Sequence, residues 1–177
     1  MNYVWDLLSY SVFALHSYPW ITFLKTSNKA YALFGIGLIA TEIATKIIKS
    51  ILYTNIKSSV ISRPSGAQNC NILANDGNVS GTAGMPSNQL AVVAFFFTYL
   101  WLSTPSIKNK NTILIVGTTF TVLHAIARTR KKCHTPLQVL AGWAFGVIFA
   151  FVWFHMISPH FLEDEPQHNR ASVYEAA

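Results

Sequence analysis

Five apolar stretches, each close to the length that a helix needs to cross a lipid bilayer, dominate the sequence. They cover residues 7–24, 30–48, 87–102, 112–127 and 136–157. A hydrocarbon core about 30 Å thick takes roughly 17–25 mostly apolar helical residues for each crossing. The pattern therefore predicts an all-α fold, in which residues 1–162 form an integral membrane helical bundle of about five transmembrane helices.

The composition narrows the class further. Charged residues make up 11% of the chain, whereas an ordinary soluble domain contains roughly 25%. Hydrophobic residues reach 51%, and there are two cysteines. Such a chain cannot cover a globular surface with charge, which excludes a soluble enzyme, a disordered protein and a disulfide scaffold. The polar, acidic segment 163–177 is the exception, and it is predicted to be a disordered tail.

The charge of the predicted bundle points to an anionic ligand. Residues 1–162 contain twelve of the thirteen Lys and Arg side chains but only three acids, Asp6, Glu42 and Asp76. The basic residues are strung between apolar stretches and form no compact basic module, which argues against nucleic acid as the partner. A lipid phosphate within the bilayer is the expected partner, and the sequence leaves the oligomeric state open.

Two polar segments that carry most of the reactive side chains are expected on the same side of the membrane. Five crossings bring the loop between the second and third stretches, about 58–87, to the face that also holds the fourth-to-fifth turn. The loop contains Arg63 and ends at Ser87, and the turn contains Arg128 and His134. Guanidinium groups match phosphate oxygens, and a neighbouring imidazole suits a nucleophile or proton carrier. A phosphate site is therefore predicted at this face.

Short motifs in these two segments resemble those of the membrane-bound type 2 phosphatidic acid phosphatase superfamily, and most closely its dolichyl diphosphatase branch. Arg128, five intervening residues and then His134 match the third motif of the family. That branch ends the motif in Gln, here Gln138, and it uses the form of the second motif found at Pro86 and Ser87. The resemblance covers roughly residues 42–146, with the motifs in the order of the family.

The resemblance implies a phosphohydrolase that uses no metal and no other cofactor. His134 would attack phosphorus and form a phosphohistidine. Arg63 and Arg128, with a Lys, would hold the phosphate oxygens while negative charge rearranges in the transition state. Ser87 would complete the phosphate cradle, and Gln138 would orient the imidazole through its other nitrogen. The resemblance also implies a site on the lumenal side of the endoplasmic reticulum.

The chain departs from the family motifs at three positions. Gln89 replaces the second His of the family and cannot act as a general acid, so a catalytically impaired relative that binds anionic lipid phosphate without turnover is the alternative function. Ala127 replaces a Ser. The first-motif Lys is either Lys57, which only five residues separate from Arg63 where the family has six, or Lys49 followed by an insertion. The predicted phosphate-binding residues are Lys57, Lys49, Arg63, Arg128, Pro86 and Gln89.

The missing acid favours one class of substrate. Cleavage of a polyprenyl diphosphate expels a phosphate monoester, which leaves as an anion because its second pKa is about 6. Cleavage of a lipid monophosphate expels an alkoxide, and protonation of this leaving group by a general acid typically raises the rate by about 10²–10⁴-fold. The chain is therefore predicted to hydrolyse the phosphoanhydride of a polyprenyl (dolichyl) diphosphate to the monophosphate and orthophosphate.

Two further groups of residues have structural interpretations. Cys70 and Cys133 lie on the same predicted face, where free thiols are the default expectation and a disulfide in an oxidising lumen is the alternative. Glu42 lies inside a predicted span, where an ionisable residue is costly and usually has a partner. Lys46 and Lys49 share its helix face, so an internal ion pair is expected there.

Overall fold

A computed structural model describes residues 3–56, 58–70 and 77–158, and this part of the chain contains five α-helices and no β-strand. The helices are α1 (Tyr3–Thr26), α2 (Lys29–Asn55), α3 (Asn88–Ser103), α4 (Ile107–Arg130) and α5 (Pro136–Val152), and α5 continues as a π-helical turn, Trp153–Ile157. The predicted all-α class is therefore confirmed. The predicted tail, 163–177, lies outside the described residues.

Three segments of the described chain are long and apolar enough to cross a membrane. They are Lys29–Asn55, Ile107–Arg130 and Pro136–Ile157. The apolar helix α3 is shorter. The protein is therefore a helical membrane protein, and the prediction of about five crossings stays a prediction.

An aromatic core joins α2, α3 and the end of α5. The rings of Phe34 and Tyr99 stack with their centroids 4.5 Å apart, and Phe95 stacks on Tyr99 at 5.8 Å. The indole of Trp153 donates a hydrogen bond to the carbonyl oxygen of Leu33, at 3.1 Å. These contacts hold the helices together in the half of the bundle away from the polar loops.

Helix α5 packs on α3 with almost no space between their backbones. A Cβ atom on Gly142 would collide with the carbonyl oxygen of Ser87, and one on Gly146 would collide with that of Ala91. In addition, the backbone N–H of Ser87 donates to the carbonyl oxygen of Gln138, at 3.0 Å. The close approach therefore places the start of α3 beside the start of α5.

The loop between α2 and α3 folds over the polar end of the bundle and is tied there covalently. A disulfide joins Cys70 in the loop to Cys133 in the turn between α4 and α5. The default expectation of free thiols is therefore wrong, and the alternative of a disulfide that draws the loop over the site is the one that the structure contains. The backbone N–H of Arg63 donates to Thr82, at 2.7 Å, which holds the two arms of the loop together.

Candidate active site

A cavity of about 690 Å³ opens at the polar end of the bundle. Its walls include Lys49 from α2, Arg63 from the long loop, Gln89 from α3 and both Arg128 and His134 from the second polar segment. Residues that are far apart in the sequence therefore face one common space. Two arginines and one histidine meet there, as the order of the motifs predicts.

His134 lies at a fixed position in the turn between α4 and α5. The carbonyl oxygen of Arg128 accepts hydrogen bonds from the N–H groups of Cys133, at 3.0 Å, and His134, at 3.3 Å. Helix α5 begins directly afterwards, with Thr135 as its N-cap. The His134 side chain is 4% exposed, and within the described part of the chain its Nδ1 atom has no hydrogen-bond partner. The turn thus fixes the backbone of His134 and places its imidazole in the cavity wall.

Burial is the main cause that lowers the pKa of His134 well below its ordinary value of 6.5. The positive charges of Arg128, Lys49 and Arg63 lower the pKa further. An imidazole in this environment is neutral at pH 7, so that a ring nitrogen keeps its lone pair. His134 therefore has the protonation state that nucleophilic attack on phosphorus requires.

Both guanidinium groups are anchored by carbonyl oxygens of the long loop. Arg128 is 2% exposed, and its Nη2 donates to the carbonyl oxygen of Cys70, at 2.7 Å. The Nε atom of the half-buried Arg63 donates to Ala83, at 3.3 Å. Because Cys70 is also bonded to the turn before His134, the disulfide and the Arg128 hydrogen bond fix the same part of the loop. The two arginines of the cavity are thereby held in place before any anion binds.

Among the described residues that line the cavity, three predicted site residues do not appear: Pro86, Ser87 and Gln138. All three are buried, and Ser87 caps the start of α3 without a hydrogen bond from its side chain. The Ser87 hydroxyl oxygen has no hydrogen-bond partner within the described ranges. The structure therefore places Pro86 and Ser87 next to the cavity wall, and their contact with phosphate stays a prediction.

Gln138 connects the two polar segments. Its side-chain amide donates to the carbonyl oxygens of Val60 and Ser62, at 2.8 Å each. The amide oxygen accepts from the N–H of Thr135, at 3.2 Å, and the Thr135 hydroxyl accepts from the N–H of Gln138, which completes a capping box. Gln138 thus attaches the long loop to the start of α5, a role that sequence reasoning missed. Its predicted orientation of the His134 ring stays a prediction.

Gln89 faces the cavity from the first turn of α3. Its side chain is buried, and neither its amide nitrogen nor its amide oxygen has a hydrogen-bond partner in the described part of the chain. A buried polar group without a partner costs free energy unless a ligand or water satisfies it. An amide N–H here is suited to donate to a phosphate oxygen, although it cannot deliver a proton.

The two candidates for the first-motif lysine have different positions in the structure. Lys49 lines the cavity from the last third of α2. Lys57 lies outside the described residues. Lys49 is therefore the candidate that the structure places in the same cavity as Arg63, Arg128 and His134.

Three residues that were not predicted as site residues form the inner end of the cavity. Glu42 and Lys46 of α2 and His16 of α1 all line it. The Lys46 Nζ atom lies 2.7 Å from a carboxylate oxygen of Glu42, which confirms the predicted ion pair. The His16 Nε2 atom lies 3.5 Å from the other oxygen. The ionisable Glu42 within a predicted span could have indicated this part of the cavity. Nothing in the sequence, however, predicts the contact between α1 and α2.

Comparison with known families agrees with this geometry. The family model described as the PAP2 superfamily matches residues 30–161, which is most of the chain. Searches of curated proteins and of solved structures found no match. The matched range contains α3, α4, α5 and all but the first residue of α2, and it includes Lys49, Arg63, Gln89, Arg128 and His134. The protein therefore belongs to the PAP2 superfamily.

Proposed function

We propose that this protein is a metal-independent phosphohydrolase that cleaves the phosphoanhydride of a polyprenyl, dolichyl-type diphosphate. Membership of the PAP2 superfamily supports activity on a lipid phosphate. The observation that carries the proposal is the shared cavity, in which His134 faces Lys49, Arg63 and Arg128. The products would be orthophosphate and the lipid monophosphate.

The proposed mechanism has two displacements at phosphorus. A nitrogen of the neutral His134 ring forms a bond to the terminal phosphorus, and the bond from that phosphorus to the bridging oxygen breaks, so that the electron pair leaves with the lipid phosphate. The three cations stabilise the charge on the oxygens of the transferred group. Water then attacks the phosphohistidine, which releases orthophosphate and restores the imidazole.

Gln89 supports the choice of a diphosphate as the substrate. The buried amide faces the cavity at the position of the family's second His, and it cannot protonate a leaving group. A phosphate monoester leaves as an anion without help, because its second pKa is about 6. A lipid monophosphate would expel an alkoxide, which is far more basic and needs a proton in order to leave. We therefore expect monophosphate lipids to be poor substrates.

The disulfide supports a location for the site. Disulfides persist in oxidising compartments and are rare where the cytosol keeps thiols reduced. Cys70 and Cys133 are bonded at the same end of the bundle as the cavity. We therefore propose that the site faces the lumen, and the resemblance to the dolichyl diphosphatase branch suggests that this lumen is the endoplasmic reticulum.

A second candidate function is the binding of anionic lipid without turnover. The observation in its favour is again Gln89, whose amide is suited to bind a phosphate oxygen and unsuited to acid catalysis. The cationic cavity would serve both functions equally well. The two candidates differ in the fate of the phosphoanhydride bond.

The release of orthophosphate from purified protein in detergent distinguishes them. With a polyprenyl diphosphate as substrate, we expect turnover by the wild type and a loss of more than about 10³-fold in the His134→Ala variant, because the nucleophile is removed. Equal, background-level release by both proteins would refute the enzyme, and tight binding of polyprenyl phosphate by the same preparation would then establish the second candidate.

A further inference from the structure

The cavity extends well beyond the four residues that would hold one phosphate, which are Lys49, Arg63, Arg128 and His134. Glu42, Lys46 and Lys49 lie on one face of α2 and all line it. The seven residues from Glu42 to Lys49 correspond to about 10 Å along a helix. The cavity thus has an outer end among the polar loops, at Lys49, and an inner end among the helices, at Glu42.

The charge of the cavity wall exceeds what one phosphate monoester needs. The lining residues include four basic side chains, Lys46, Lys49, Arg63 and Arg128, against the single carboxylate of Glu42, a formal net charge of +3 without the histidines. A phosphate monoester carries only about −1.5 to −2 at pH 7. Both the length and the charge of the cavity therefore suit a head group with more than one phosphoryl unit.

The inner end is ordered by the Glu42 carboxylate. One of its oxygens holds the Lys46 ammonium group at 2.7 Å, and the other holds the His16 Nε2 atom at 3.5 Å. The opposite ring nitrogen of His16 donates to the carbonyl oxygen of Val12, at 3.0 Å, which fixes the imidazole plane. The Lys46 side chain remains 65% exposed while it is paired, so an anion in the cavity can reach it.

We propose that Lys46 and His16, held in place by Glu42, form a second phosphoryl subsite, which binds the phosphate that stays on the lipid. Lys49, Arg63 and Arg128 then hold the terminal phosphate for His134. This inference rests on the proposed function, since it assigns the two phosphates of a diphosphate to the two ends of one cavity.

The orientation of the head group follows from the position of the lipid chain. The outer end of the cavity lies where the long loop and the α4–α5 turn meet the helix ends, whereas the inner end is formed mainly by α1 and α2, and α2 is one of the helices that can span the membrane. The phosphate attached to the hydrocarbon chain must be the nearer one to the hydrocarbon core. In an in-line displacement the leaving group lies opposite the nucleophile, which also places it away from His134.

A binding experiment on the full chain in detergent tests this subsite without requiring turnover. The probes are two non-hydrolysable lipids with the same prenyl chain, a methylenediphosphonate and a simple phosphonate, and the readout is the dissociation constant of each. We expect Lys46→Gln to weaken binding of the diphosphonate about 10-fold or more, as for the loss of a hydrogen bond to a charged group. Binding of the phosphonate should change less than about twofold.

Matched variants make the outcome specific. Lys49→Gln, at the outer end, should weaken both lipids, and Lys46→Arg should keep the preference for the diphosphonate. Lys25→Gln, on an exposed residue in the last turn of α1, should change neither. His16→Gln should act in the same direction as Lys46→Gln.

Two results would overturn the subsite: an equal loss of both lipids in Lys46→Gln, or no loss of either. Failure of the proposed function looks different. A wild type that prefers the diphosphonate but releases no orthophosphate from the diphosphate would be a binding protein with this subsite. A wild type that releases orthophosphate but binds both probes equally would be an enzyme without it.

Discussion

At the scale of single residues, the amide of Gln89 is the most informative difference from the family motif. It is buried and faces the cavity, at the position where the family motif has its second histidine. The sequence predicted this loss because Pro86, Ser87 and Gln89 belong to one short motif. The contacts of His16 and the loop bonds of Gln138 could not be predicted, because their partners are a residue of another helix and backbone carbonyls.

Substitution of Gln89 tests the relation between the missing acid and the substrate. We expect Gln89→His to raise kcat on a lipid monophosphate at least about 10-fold, because general acid catalysis contributes about 10²–10⁴-fold when it is fully developed. Turnover of the diphosphate should change much less, since its leaving group needs no proton. Steady-state kinetics on both lipids measure the ratio.

The control for this substitution is the double variant His134→Ala/Gln89→His, which should be inactive on both lipids. A Gln89→His protein that gains equally on the monophosphate and the diphosphate would show that the amide limits something other than protonation of the leaving group.

The protonation of His134 has a measurable consequence. Burial and three nearby cations lower its pKa well below 6.5, so we expect its ring to remain neutral as the pH falls from 8 through 6.5. Because the unfolded chain binds this proton more readily, the contribution of His134 to stability is fully present above pH 6.5 and decreases as the pH falls below that value.

NMR of protein with ¹³C-labelled histidine, in detergent, checks this directly. The His134 signal is assigned by its absence in His134→Asn. A signal that titrates with a midpoint near 6.5 would mean that the imidazole is not held in the buried, cationic environment described here.

At the scale of helices, the apolar stretches predicted all five α-helices, because the length of an apolar stretch depends only on consecutive residues of the sequence. The close packing of α5 on α3 was not predictable, since any apolar helix offers many faces. The two glycines that make it possible, Gly142 and Gly146, face backbone carbonyl oxygens of α3. This contact sets the distance between the starts of the two helices and hence the position of the Ser87 backbone next to α5.

We expect Gly146→Ala to lower the free energy of unfolding by about 1–3 kcal/mol, the usual cost of overpacking, despite the better helix propensity of Ala. The added methyl group meets the carbonyl oxygen of Ala91, which belongs to a helix backbone and cannot turn aside. Thermal unfolding in detergent measures the effect.

Gly35→Ala is the matched control. There the three atoms nearest to the added methyl group all belong to the indole ring of Trp20, at 2.6–3.0 Å, and a side chain can rotate, so the loss should be clearly smaller. Equal losses in the two variants would indicate that the α3–α5 backbone contact is not specially tight.

At the scale of the whole molecule, the site is assembled from loop residues and helix ends that the topology brings to one end of the bundle. The convergence of Arg63, Arg128 and His134 was predictable, because alternate connections of an up-and-down bundle lie on the same side. The disulfide between Cys70 and Cys133 was only one of two alternatives. Whether two cysteines form a disulfide depends on the redox state of the compartment and on the distance between the two thiols.

Removal of the disulfide should affect both stability and ligand affinity. The Cys70→Ser/Cys133→Ser variant loses a link across 63 residues, so we expect its free energy of unfolding to fall by about 2–4 kcal/mol. It should also bind lipid phosphate more weakly, because the Cys70 carbonyl that holds Arg128 is no longer fixed.

Treatment of the wild type with a phosphine reductant should reproduce the effect, and the double variant should not respond to the reductant. Unchanged affinity in the reduced wild type would mean that the loop keeps Arg128 in position by its hydrogen bonds alone.

The bond between Cys70 and Cys133 also has a meaning for the cell that makes the protein. Newly synthesised copies carry reduced thiols, so the Cys70 carbonyl that holds Arg128 is not yet fixed by the disulfide. If the site faces the lumen, as proposed, the disulfide would form only after export of the loop, and a copy whose loop stayed in the cytosol would bind phospholipid head groups there more weakly. Biosynthesis itself would then restrict where this protein engages its ligand.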